Sequence, residues 1–146
     1  MEATPQPALD LARFPHRREF HFGGDPATVT PAVEQMIAFV SANCPADDVA
    51  PELSLALQEA LANAVVHGCN SDPNKTVDCL VACGPTEVLM ILRDPGPGFD
   101  PRAIRNPLSS DGLAADHGRG VHMIRELMDE VRYERNGTEL QMLKRL

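Results

Sequence analysis

A chain of 146 residues fits a single domain and is long enough to bury a proper core. Its formal net charge of −8 and 4% aromatic content argue against a nucleic-acid binder or a base-stacking platform, so any anion must be met locally by backbone amides, a metal and a few Arg side chains. No apolar run approaches a membrane span, and MEATPQPALD lacks a basic stretch before an apolar core, so neither membrane contact nor a signal peptide is expected and the reading is cytoplasmic.

Residues 1–15 are Pro-rich and weakly patterned; a loose N-terminal segment is expected there, followed by one domain over 16–146. Arg18-Glu19-Phe20-His21-Phe22 alternates and stops at Gly23-Gly24, which predicts a strand and a turn. From about Ala27 to Asn43, Val33, Met36, Ile37 and Val40 fall on one helical side, with Pro31 tolerable only in the first turn. Pro45 to Ala50 reads as a linker. Pro51 to Gly68, PELSLALQEALANAVVHG, predicts the central amphipathic helix: Leu53, Ala56, Leu57, Ala60, Leu61, Ala64 and Val65 share a face. Gly68 suits a C′ position at positive φ. Thr76–Ala82 and Glu87–Arg93 read as antiparallel strands joined at Gly84-Pro85-Thr86. DPGPGFD follows, then Pro101 to His117 without clear periodicity, a length of loop that is usually functional. Gly118-Arg119-Gly120 is expected to open a third helix. Val131–Arg135 and Thr138–Leu143 form a last hairpin around the type I′ signal Asn136-Gly137. This order predicts an α+β two-layer sandwich, a mixed, mostly antiparallel sheet with three helices on one face. Cys79 and Cys83 lie roughly 13 Å apart along one strand at about 3.3 Å per residue, too far for a shared metal or disulfide. All four cysteines are expected to be reduced and mostly buried. The histidines His16, His21, His117 and His122 form no ligand-spaced cluster, which argues against a zinc site.

Three stretches are candidates for chemistry. Glu59, Asn63 and His67 run along one edge of the central helix, neighbours roughly 6 Å apart at about 1.5 Å rise per residue. They suit one wall of a site, although a solvated rim beside the core has the same pattern. Asp94 closes a buried strand just before Gly96 and Gly98, which let backbone approach a ligand. A carboxylate there accepts from the exocyclic amine of adenine and repels the oxygen of guanine; a capped Gly/Pro turn is the alternative. Gly118-Arg119-Gly120 at a helix start suits phosphate, whose partners are free N–H groups and the helix dipole. It matches neither a P-loop nor a Rossmann fingerprint.

The ordered blocks EALANAVVHG, DPGPGF, GRGVHMI and MDEV, then a GT strand, resemble the GHKL (histidine-kinase-like) ATPase superfamily. More closely they resemble its anti-sigma-factor serine/threonine kinases, over roughly Phe20 to Leu146. The resemblance implies the histidine-kinase-like ATPase fold, with ATP and Mg²⁺ as ligands. It implies Asn63 as the Mg²⁺ ligand and Glu59 as general base. Asp94 would bind the adenine amine, with Gly96 and Gly98 beside it and Thr138 nearby. Gly118, Arg119 and Gly120 would hold the phosphates, Pro101–His117 would be the ATP lid, and Arg102 or Arg105 would offset γ-phosphate charge. The implied function is a kinase that sequesters a sigma factor and phosphorylates a small anti-anti-sigma antagonist protein, as a homodimer. The rival is an ATP-gated protein-binding module without phosphotransfer, in which Glu59 is structural. No space precedes the central helix for a histidine kinase's dimerisation segment and phospho-acceptor His, so the acceptor is expected to be another protein.

Overall fold

The computed structural model describes residues 10–98 and 112–146, with the backbone alone for 112–119. Strands β1 (His16–Gly23), β2 (Thr76–Cys83), β3 (Glu87–Arg93), β4 (Glu130–Glu134) and β5 (Glu139–Arg145) form one sheet in the order β1-β2-β3-β5-β4. Every pairing is antiparallel, so the sheet is uniformly rather than mostly so. Period-two alternation puts Val77, Cys79 and Val81 of β2, Val88, Met90 and Leu92 of β3, and Leu140 and Met142 of β5 into one core beneath the helices. Helices α1 (Val29–Asn43), α2 (Ala50–Asn63) and α3 (Gly112–Leu127) cover that face. On α2, Leu53, Leu57 and Leu61 recur every fourth residue and are fully buried. Each such burial stabilises by about 1.5–3 kcal/mol. Lys144 of β5 donates to the Leu127 carbonyl at 2.8 Å and lies 3.8 Å from the Glu52 carboxylate, tying the end of α3 to the start of α2. The two helices therefore run antiparallel.

The opposite face of the sheet carries a second, smaller cluster, where Phe14 packs on Ala82, Leu89 and Leu143. Phe14 falls in the segment expected to be loose, yet it is fully buried, because the pleat of β2, β3 and β5 leaves apolar side chains there that need a cover. Beside it Glu139 is buried and meets Arg93 and Gln141. Burial alone would push its carboxyl up, but hydrogen bonds from Gln141 and Arg93, with the Arg93 and Arg135 charges, hold it below the usual range.

Five expectations are corrected. The central helix is α-helical only to Asn63; Ala64–Gly68 is a π turn, closed by Cys69 N–H donating to the Ala64 carbonyl at 2.9 Å. Gly68 does not take positive φ; Asn70 and Ser71, at 54° and 56°, make the reversal instead. Helix α3 begins at Gly112, so Gly118–Gly120 lie inside it. Leu113, Ala114 and Ala115 favour helix, and an interior Gly costs only about 1 kcal/mol, too little to set the boundary. Cys44 and Cys83 form a disulfide with Cα atoms 5.7 Å apart, while Cys69 and Cys79 are buried free thiols. The C-terminal cap of α1 meets the end of β2 there, a proximity between residues 39 apart in sequence that no local pattern encodes. The β4–β5 connection is also longer than the expected two-residue type I′ turn: Glu134 pairs Glu139, residues 135–138 join them through a 3-10 turn, and Arg135, Asn136 and Gly137 all have positive φ.

Candidate functional site

The cleft lies between α2 with its π turn and the ends of β3, β4 and β5. Its floor is a row of side chains brought level by strand register: Leu92 pairs Leu140, and Leu140 pairs Tyr133. Ala60 and Ala64 face that floor from the helix, small enough to leave room for a planar group. Asn63, His67, Asp94, Gly98 and Thr138 complete the lining.

Asp94 is fixed at both ends. Its backbone N–H donates to the Thr138 carbonyl at 2.9 Å, which extends the β3–β5 pairing by one bond. Its carboxylate Oδ1 accepts from the Gly96 N–H at 2.8 Å. The second oxygen, Oδ2, has no hydrogen-bond partner among the described residues. Burial raises the Asp94 pKa, and the Gly96 bond only partly opposes that shift. A half-buried carboxylate with one committed and one free oxygen is an acceptor suited to an N–H donor on a ligand.

Glycines allow the close packing around this group. A Cβ on Gly68 would run into the Asp94 carboxyl, and one on Gly96 would strike the Gly68 backbone 2.6 Å away. Gly68 is thus needed for close approach and not for a helix cap. Gly98 has φ of +78°, and a Cβ there would meet the Asn136 carbonyl oxygen. The Thr138 hydroxyl donates to the Arg135 carbonyl at 2.7 Å, which leaves its oxygen able to accept.

Asn63 lines the cleft from α2, and Glu59, one turn before it on the same helix, lies just outside the lining. Gly120 of α3 packs directly on both: a Cβ there would lie 2.7 Å from Asn63 Nδ2 and 3.0 Å from Glu59 Oε1. Neither side chain has a hydrogen-bond or ion-pair partner among the described residues. A lone Asn carboxamide beside an unpaired carboxylate suits Mg²⁺, which keeps most of its own waters and takes few protein ligands. The contact also explains why Gly120 is glycine.

Of the residues singled out from sequence, Asn63, Asp94, Gly98 and Thr138 line one cleft, with Gly96 beside Asp94 and Gly120 against Glu59 and Asn63. Arg102, Arg105 and most of the expected lid lie outside the described residues. Gly118 and Arg119 are placed in α3 by their backbone, where their amides belong to the helix rather than to its free N-terminus. Tyr133 was missed. Burial pushes its phenol up to about 12, although the Arg125 guanidinium, 5.9 Å from the ring centroid, pulls the other way. The available signal was its place in alternation with Val131 on the same strand.

One family model, the histidine kinase-like ATPase domain, matches residues 22–144. The chain belongs to the histidine kinase-like ATPase family. Membership implies ATP binding, and the open antiparallel sheet with three helices on one face agrees with that fold. The chain is 34% identical over 96 residues to the anti-sigma F factor of Geobacillus stearothermophilus, covering 64% of this chain and 66%, just under two thirds, of that relative. It is 31% identical over 114 residues to the anti-sigma F factor of Anoxybacillus flavithermus, covering 75% and 78%. No helix among the described residues of this ATPase domain is long and apolar enough to cross a membrane.

Proposed function

We propose that this ATPase domain is a cytoplasmic anti-sigma regulator that sequesters a sigma factor and uses Mg·ATP to phosphorylate a serine or threonine of a small anti-anti-sigma antagonist, acting as a homodimer. One observation carries the reading: Gly120 packs on Glu59 and Asn63, and Asn63 lines the cleft that also holds Asp94, in a chain similar to anti-sigma F factors. Asp94 Oδ2 would accept from the adenine amine, with Gly96, Gly98 and Thr138 shaping its surroundings. Asn63 would hold Mg²⁺, whose chemistry is to neutralise and align the phosphates. Glu59 would take the proton as the acceptor's hydroxyl oxygen bonds to the γ-phosphorus and the bond to ADP breaks. Gly118, Arg119 and Gly120 would bind phosphates by their amides, which requires α3 to start at Gly118 when nucleotide is held; Arg105 would add a charge from the lid.

The test is Glu59→Gln with purified antagonist and Mg·ATP. Expected is unchanged ATP affinity and a transfer rate lower by about 10²–10⁴, the usual size of a general-base contribution. Wild-type protein that binds ATP but labels no antagonist would point to the nucleotide-gated binding module instead.

A further inference from the structure

Four large apolar side chains are exposed among the described residues, and three of them flank the Glu59–Asn63 pair: Leu55, Val66 and Met123, with Leu146 the fourth. Leu55 is one turn before Glu59 on α2, about 6 Å along the axis. Met123 is one turn after Gly120 on α3, and Gly120 touches Glu59. Because α2 and α3 are antiparallel, Leu55 and Met123 stand at the same level on either side of their seam, 54% and 42% exposed. Isolated exposed apolar residues need no explanation, but a pair set beside a carboxylate with no partner among the described residues does. The rim carries carboxylates: Glu52 and Glu126 lie one turn beyond Leu55 and Met123, and their ion-pair partners among the described residues are Lys144 at 3.8 Å and His122 at 3.6 Å.

We propose that the α2–α3 seam around Leu55 and Met123 is the docking surface for the phospho-acceptor protein, which would present its hydroxyl to Glu59 from an apolar patch bordered by Lys or Arg. This rests on the kinase reading above. The surface is a convex helix pair and not a cavity, which suits a folded protein rather than a small molecule. The apolar pair supplies the contact, and the carboxylate rim of a chain with net charge −8 selects a basic border.

The experiment measures phosphate transfer from Mg·ATP to each purified small antagonist encoded by the same genome. It compares wild type with Leu55→Ser, Met123→Ser and the double charge reversal Glu52→Lys/Glu126→Lys. The serine variants should raise KM for the protein acceptor about tenfold or more, as loss of a central apolar contact does, with kcat, ATP affinity and Tm held. The charge reversal should raise KM most at low salt. Unchanged KM in all three variants, with wild-type transfer intact, overturns the docking surface and spares the kinase reading. So would a change confined to oligomeric state or sigma-factor binding, which would assign the seam to another partner. Absence of transfer by wild type to every antagonist overturns the kinase reading and this proposal together.

Discussion

On the proposed reading Asp94 selects the ligand, because its Oδ1 is committed to the Gly96 N–H and its other oxygen has no hydrogen-bond partner among the described residues. In Asp94→Asn the amide oxygen can keep the Gly96 bond, so an NH₂ faces the ligand's own donor. A charge-assisted hydrogen bond of about 1.5–3 kcal/mol is lost, and ATP affinity should fall about 10- to 100-fold by calorimetric titration. Without ligand the sign reverses. The folded pKa of Asp94 lies above its ordinary 3.8, so in that interval the native state holds the proton more tightly than the unfolded chain. Its relative stabilising effect is complete below 3.8 and is lost as pH rises through the folded pKa. At pH 7 the ionised carboxylate is therefore a cost, and Asp94→Asn should raise the ligand-free Tm there while leaving it nearly unchanged at pH 3. A ligand-binding group that destabilises its own empty site is a common arrangement, and the proposed role of Asp94 fits it.

Helices α2 and α3 meet at a glycine, and that contact sets the positions of Glu59 and Asn63, the proposed reactive end. Gly120→Ala would put a methyl carbon 2.7 Å from Asn63 Nδ2 and 3.0 Å from Glu59 Oε1, so one or both side chains must move. The Asp94 carboxyl is not among the atoms nearest that methyl. The substitution should therefore lower phosphate transfer by roughly tenfold or more, the effect of misaligning reacting groups by a fraction of an ångström, while ATP-over-GTP preference persists. On the helix side, at the end of the sheet away from the cleft, the Cys44–Cys83 disulfide joins the C-terminal end of α1 to the end of β2. Cys44→Ser should cost about 2–4 kcal/mol in urea unfolding, the usual worth of a cross-link of this span. Nucleotide affinity should be unaffected, because neither cysteine lines the cleft.

At the scale of the whole molecule, ATP should act as a ligand that binds only the folded chain. At about 100 times its Kd it should add about 2.7 kcal/mol of stability. Mg·GTP should add almost none, since its ring oxygen would meet the Asp94 carboxylate; equal shifts with both nucleotides would remove Asp94 from base selection.

Much of this architecture was legible in the chain. The i, i+4 recurrence of Leu53, Leu57 and Leu61 marked α2, and the strand-length apolar segments Thr76–Ala82 and Glu87–Arg93 about a Gly-Pro turn marked two central strands, because these patterns follow directly from helix and strand geometry. Asp94, Gly96 and Gly98 could be picked out as well, since a carboxylate ending an apolar run before alternate glycines is a local pattern. The start of α3 was not, because a glycine weakens a helix by less than its neighbours and tertiary packing strengthen it. Phe14, Tyr133 and the partner of Cys83 were also hidden, for each is defined by what lies across the sheet. By itself, the sequence determined the elements, their order and which polar residues and glycines border them, since all of these depend on neighbours a few positions apart. Only the tertiary structure decided that Gly68 exists to make room for Asp94, that Gly120 lies on Glu59 and Asn63, and that Cys44 reaches Cys83. Those are steric facts between segments tens of residues apart, and they arise only when the helices settle onto the sheet.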